Sequence, residues 1–119
     1  MPIDHNLVIA SLIEIVGAKH VLSAAEDMAT ALTDWRGDYH GHAIAIVKPA
    51  STAEVSAILQ LADEMNIAVI PQGGNTSLCG GATPNQKDNN LVLSTERLNQ
   101  IRYLDIAGQN ITVETGCIL

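Results

Sequence analysis

Between Ala43 and Ile70 the chain reads strand, helix, strand, and few arrangements satisfy that order. Ala43-Ile44-Ala45-Ile46-Val47-Lys48-Pro49 is an apolar run ended by proline. Ser51-Thr52-Ala53-Glu54 has the form of a capping box, in which the Ser51 hydroxyl accepts from the amide of Glu54. Val55, Ile58, Leu59, Ala62 and Met65 then recur at helical spacing, which predicts a helix over 52–65. Ile67 to Ile70 supplies the second strand, which is expected to break at Pro71. Such a βαβ unit requires parallel strands joined by a right-handed crossover.

What leaves the second strand is unusual in composition. Pro71-Gln72-Gly73-Gly74-Asn75-Thr76-Ser77-Leu78-Cys79-Gly80-Gly81 has four glycines in the nine residues 73–81. Glycine lets a backbone approach a ligand with no Cβ between them. Consecutive amides in such a loop can form an anion-binding concavity, with Asn, Thr and Ser as short donors at the rim. Positions 49 to 86 hold no Lys or Arg, so any phosphate here is held by amides and hydroxyls. Composition alone suits a plain surface turn equally well. Position favours a cradle, because α/β folds bind ligands beyond the carboxyl ends of parallel strands.

Two familiar phosphate loops are excluded. Gly80-Gly81 is followed by Ala82-Thr83, not the Lys-Ser/Thr of a P-loop. The pairs Gly73-Gly74 and Gly80-Gly81 do not fit G-x-G-x-x-G, and the stretch from Pro84 to Asn90 does not read as a helix.

The flanking chain is simpler. Leu7, Ile9, Ala10, Ile13 and Val16 predict a helix over 6–16 that stops at Gly17, and a short helix is expected over 24–30. Asp34 to His42 reads as an irregular connection. His40 and His42 are two apart with no third ligand nearby, so the loop reads as solvated and no metal site is expected. Arg36, in the same loop, reads as structural. Leu91 to Ser94 is a short strand, and Ile101–Ile106 with Asn110–Thr115 form a hairpin. The fold class is therefore α+β: N-terminal helices, a βαβ unit with parallel strands, then short strands with a hairpin.

With 119 residues, 47% of them hydrophobic, the chain is long enough for a core, which must be aliphatic because Phe is absent and Trp occurs once. A net charge of −7 with six basic residues and no basic run argues against nucleic acid and anionic membranes. Residues 1–17 have neither a basic leader nor a spanning apolar run. Cys79 and Cys117 form no C-x-x-C and are expected reduced and buried, Cys79 as packing. Together these lead to an expected cytoplasmic location. The apolar run to Leu119 carries no stop signal, as expected of a chain that stops mid-fold. A cut sheet leaves an open edge, and the fragment is expected to self-associate.

Several blocks carry a family resemblance. They are Val47-Lys48-Pro49-Ala50-Ser51-Thr52-Ala53-Glu54-Val55, Pro71 to Leu78, Gly80-Gly81-Ala82, Leu93-Ser94-Thr95 with Leu98-Asn99, and Val113-Glu114-Thr115-Gly116-Cys117. The chain from about Asp34 resembles the N-terminal segment of vanillyl-alcohol-oxidase (PCMH-type) flavoproteins. Within them it is most similar to D-2-hydroxyglutarate, D-lactate and glycolate dehydrogenases.

The resemblance implies the first subdomain of a PCMH-type FAD-binding domain over 34–119, truncated at its C-terminus, behind a helical extension over 1–33. It implies FAD as cofactor, with Pro71, Gln72, Gly73, Gly74, Asn75, Thr76, Ser77, Leu78 and Gly81 around the pyrophosphate and Pro49 and Ser94 close by. Relatives that tether FAD through this loop carry His where this chain has Asn75, which implies non-covalent FAD. Family chemistry oxidises a D-2-hydroxyacid to the 2-oxoacid, a base taking the hydroxyl proton while hydride passes to flavin. The catalytic groups of the family come from later segments, so no catalytic residue is expected among these 119, and the fragment alone is expected to be inactive. A small 2-hydroxyacid is the implied substrate, and the electron acceptor is left unnamed. Two alternatives remain at this point: a stand-alone binding module without flavin, and a related FAD-dependent oxidase of sugars or aromatic alcohols.

Overall fold

In a computed structural model that describes residues 2–118, the elements are α1 (His5–Val16), β1 (Val21–Leu22), α2 (Ala25–Met28), β2 (Ala45–Val47), α3 (Thr52–Glu64), β3 (Ala68–Gln72), β4 (Asn90–Ser94), β5 (Ile101–Asp105) and β6 (Asn110–Val113). Four strands form one sheet in the order β1-β2-β4-β3, and β5 pairs with β6 in a separate antiparallel hairpin. β4 is parallel to both neighbours, so β2 and β3 are parallel as their connection requires, with β4 inserted between them. β1 joins antiparallel at the β2 edge, and two residues are too short a strand for its sequence to announce.

β2 and β4 are buried along their whole lengths, which is why both read as unbroken apolar runs. Alternation separates their two faces. Ala45, Val47, Leu91 and Leu93 pack under α1 and α3 with Val8, Leu12, Ile58 and Ala62. Ile46 and Val92 face the other way, onto Met28, Leu22, Ala31 and Leu32.

The two long helices begin as their sequences dictate. The Asp4 carboxylate accepts from the amides of Asn6 and Leu7 at the start of α1. At α3, Ser51 Oγ accepts from Glu54 N at 3.2 Å and Glu54 Oε1 accepts from Ala50 N at 2.8 Å, so the capping box closes in both directions. The buried stripe of α1 is Val8, Leu12 and Val16, not the Leu7-Ile13 face that spacing suggested, and both of those residues are exposed. Strict i, i+4, i+8 spacing puts the three buried residues on one line, and the β-sheet takes that line. Leu59 of α3 is likewise exposed, while Ile58 and Ala62 carry the contact.

Pro71 does not break its strand. β3 runs through it to Gln72, with Pro71 opposite Leu93 and Gln72 opposite Ser94. β3 is an edge strand, where a residue with no N–H to donate is tolerated. At the opposite end of the sheet Asn90 is buried and its Nδ2 has acceptors at His42 O (3.0 Å), Lys87 O (3.1 Å) and Asn85 Oδ1 (2.7 Å), closing the long connection into β4. Among the described residues no helix is long and apolar enough to cross a membrane.

Candidate functional site

Parallel strands put their carboxyl ends on one border of the sheet. Here that border collects Pro49 just after β2, Ser94 at the end of β4 and Gly73 just after β3. Pro49 and Ser94 are buried. Thr95 ties the border together: its amide donates to Gln72 O at 3.0 Å and its hydroxyl reaches the same oxygen at 3.4 Å.

The glycine loop projects from this border with its main chain unspent. Among the described residues, the amides of Gly73, Gly74, Asn75, Thr76, Ser77 and Leu78 donate to no backbone or side-chain acceptor. Gly73, Gly74, Thr76 and Leu78 are exposed, and Asn75 and Ser77 half-buried. A Cβ built on Gly74 or Gly81 would meet nothing within 4 Å, so the protein itself does not fill the space over them. Free donors and open glycines are the two features that an anion-binding loop requires.

The side chains do different work. Gln72 is buried, and its Nε2 donates to Ala31 O at 2.8 Å and Ala82 O at 3.0 Å. Asn75 holds a left-handed backbone (φ 56°), and its Nδ2 donates to Thr33 O at 2.9 Å and Thr30 O at 3.2 Å. At the far end, Gly80 (φ 74°) sits under the Tyr39 ring, 2.9 Å from where its Cβ would stand. Asn75 Oδ1 and Thr83 Oγ1 are buried without a partner. Cys79 is exposed, a correction to its expected packing role, because the loop stands clear of the sheet and the Tyr39 ring lies over Gly80. Cys117 is half-exposed, and both thiols are free.

The cations near this border are already engaged. Lys48 Nζ lies 2.8 Å from Glu96 Oε1, and Arg97 Nη1 donates to Lys48 O at 2.7 Å and lies 4.0 Å from Glu54 Oε1. Arg36 pairs with Asp38 on the surface at 3.3 Å. His40 Nδ1 bonds the Thr33 hydroxyl at 3.1 Å, and among the described residues no three His, Cys, Asp or Glu side chains come together. A separate apolar groove of about 480 Å³ runs along the hairpin, lined by Ile101, Ile111, Val113 and Cys117.

Asp34 steadies the turn that carries Tyr39. Its Oδ1 accepts from Tyr39 N at 2.8 Å, and this bond, partly opposed by burial, holds its carboxyl below the ordinary value of 3.8. A depressed folded pKa means stability that is complete above 3.8 and lost as pH falls through the folded value. Protection of the Tyr39 amide from hydrogen exchange is therefore expected to stay flat from neutral pH down to that point and decline below it. Decline near neutrality would contradict this assignment.

Of the residues expected around the ligand, Gln72 and Asn75 have their side-chain nitrogens bound to the carbonyls of 30, 31, 33 and 82, which leaves the Asn75 main-chain amide unpaired among the described residues. Sequence reasoning missed Thr95 and Tyr39, and it missed that Gly116 is pressed against Thr95, its would-be Cβ falling 1.7 Å from Thr95 O. No local signal marks Gly116, which lies three residues past β6 and meets Thr95 only through the fold.

The sequence profile of the family described as "FAD binding domain" matches residues 43–119. The chain is 39% identical over 106 residues to the mitochondrial D-2-hydroxyglutarate dehydrogenase of Arabidopsis thaliana, covering 89% of this chain and 19% of the relative. A putative mitochondrial D-lactate dehydrogenase of Schizosaccharomyces pombe is 40% identical over 86 residues, 72% of this chain and 16% of its own. The chain thus spans about a fifth of the length of the curated relatives it matches. Among solved structures, an alkyldihydroxyacetonephosphate synthase superposes with a TM-score of 0.81 at 20% identity over 98% of this chain and 24% of that one. p-Cresol methylhydroxylase does so at 0.78 and 19% identity, over 94% and 22%. These two establish the fold: mixed α+β with a parallel sheet and an antiparallel hairpin, as in PCMH-type FAD-binding domains. The expected cytoplasmic location is corrected here. Relatives from A. thaliana, S. pombe and Bos taurus are all named as mitochondrial.

Proposed function

This chain belongs to the FAD binding domain family, and from that premise we propose that its glycine loop holds the FAD diphosphate within a flavin-dependent dehydrogenase of D-2-hydroxyacids. The observation that carries the reading is the row of unpaired amides from Gly73 to Leu78 at the carboxyl border of a parallel sheet. The residues fit the group. Each amide–oxyanion hydrogen bond contributes about 1.5–3 kcal/mol, so several hold a diphosphate without a lysine. The loop from Gly73 to Gly81 has no acidic residue to repel it.

Roles divide by atom type. Gly73, Gly74, Asn75, Thr76, Ser77 and Leu78 act through main-chain N–H groups, with Thr76 and Ser77 hydroxyls at the rim. Pro71 and Gly81 flank them, and Pro49 and Ser94 form the floor of the border. Attachment is read as non-covalent, because position 75 is Asn, whose carboxamide is no nucleophile, and not the His of relatives that tether FAD through this loop. When bound, FAD supplies a two-electron acceptor for hydride from a substrate carbon. Residues 34–119 are read as the first portion of the FAD-binding domain, with 1–33 as an extension preceding it and sharing its core. The 2-hydroxyacid substrate and the proton-transfer groups are assigned to the longer protein, and no residue of this chain is given a catalytic role.

Gly74→Ala tests the reading. Space over Gly74 is empty of protein, and its backbone lies outside the left-handed region, so the unfolding temperature of the apoprotein is expected not to move. A ligand seated on the loop meets the new methyl, and FAD affinity of the reconstituted full-length protein is expected to fall about tenfold or more, some 1.4 kcal/mol. Unchanged affinity would remove the cradle from this loop.

A further inference from the structure

The glycine loop is held from outside the region that defines its family. Three carbonyls at residues 30, 31 and 33 accept from the side-chain amides of Asn75 and Gln72 at 2.8 to 3.2 Å. Those carbonyls follow α2 in a segment rooted in the core, where Met28 is buried and Ala31 and Leu32 pack with Ile46 and Val92. A few residues on, the Tyr39 ring covers Gly80 at the other end of the loop. Gln72 also reaches Ala82 O, so one side chain joins the loop's entry, its exit and the collar. The profile match begins at residue 43, and the anchors at 30, 31, 33 and 39 all lie before it, while Ala82 lies within it.

Asn75 shows why such anchoring bears on binding. A non-glycine residue in the left-handed region costs about 1–2 kcal/mol, less for Asn, and its two bonds to Thr30 and Thr33 offset that cost. Without them the backbone at 75 is free to leave that conformation, and the neighbouring unpaired amides move with it.

We propose that Gln72 and Asn75 are positioning residues that fix the loop's amides by clamping them to a collar, Thr30 to Tyr39, so that flavin affinity depends on a segment outside the matched domain. This rests on the reading of the loop as a diphosphate cradle, and the two fail separately. Asn75→Asp keeps the shape and the left-handed tendency but turns a carboxylate oxygen toward two carbonyls.

The test compares wild-type and Asn75→Asp full-length protein by FAD titration of the apoprotein and by hydrogen exchange of peptides covering 30–34 and 73–81. The expected result is a tenfold or greater loss of affinity together with faster exchange in both peptides of the apoprotein. Loss of affinity with unchanged exchange at 30–34 overturns the proposal, since the side chain would then touch the cofactor directly. Unchanged affinity also overturns it. If wild-type protein binds no FAD, the cradle reading itself falls, and the clamp's link to binding falls with it. Should Asn75→Asp not fold, Gln72→Met, which replaces two polar contacts by an apolar chain of similar length, is read by the same measurements and criteria.

Discussion

Gly116→Ala is expected to lower the stability of this chain by about 3 kcal/mol or more, because the added methyl has no room and no soft neighbour. Its carbon would stand 1.7 Å from Thr95 O and 2.8 Å from Leu98 O, both backbone atoms. The Gly116 amide also donates to Leu98 O at 2.8 Å, so this segment cannot slide away without breaking that bond. For a domain of this size the loss corresponds to a fall in unfolding temperature on the order of 10 °C, measurable by calorimetry or circular dichroism. The damage is expected to reach the cofactor as well. Thr95 bonds Gln72 O twice, and its Oγ1 lies 3.8 Å from the Cβ position of Gly73, so displacing Thr95 moves the first residue of the loop. Gly116→Ala should therefore lose stability and flavin together, where Gly74→Ala loses flavin alone. A Gly116→Ala protein as stable as wild type would show that the segment after β6 is not packed on the β4 border.

Gly41→Ala is expected to have an effect of similar size at the other end of the loop system. A Cβ there falls 1.8 Å from Pro84 O and 2.8 Å from Asn85 O. The chain cannot yield easily, because Gly41 N donates to Leu32 O at 2.9 Å and His42 N to Asn85 O at 2.9 Å. The methyl must push the 84–85 connection outward, which strains the Asn90 bonds to residues 85 and 87. A loss of about 3 kcal/mol is the expected outcome, read by denaturant unfolding as a lower midpoint at unchanged slope. Gly37 is the useful control. It has open space around it but a φ of 76°, so alanine there is expected to cost only about 1 kcal/mol from backbone strain. An effect at 41 no larger than that at 37 would mean that the 84–85 connection yields to the methyl and crowding there is cheap.

Much of this architecture was legible because it is local. The capping box at Ser51, the helix behind it, the apolar runs of β2 and β4 and the hairpin each follow from residues within a few positions of one another. The loop's location followed from topology, since a parallel strand must deliver its carboxyl end to the ligand border. What stayed hidden depends on partners far along the chain. Nothing near Asn75 or Gln72 tells that their amides end on carbonyls more than 40 residues earlier. Asn90 looks like one more polar residue in a loop-rich stretch, and only the fold shows it buried with its nitrogen shared among residues 42, 85 and 87. Pro71 was misread for a related reason: whether proline ends a strand depends on whether that strand lies at the sheet's edge.

That edge has a consequence for how anything else can join the sheet. β3 is its outer rail on the side of the glycine loop, and Pro71 leaves one rung without a donor beside residues that are otherwise fully extended. A foreign β-segment laid along β3 would find the ladder interrupted two residues before the loop begins. Growth on that flank is thereby discouraged at the point where an added chain would crowd the cradle.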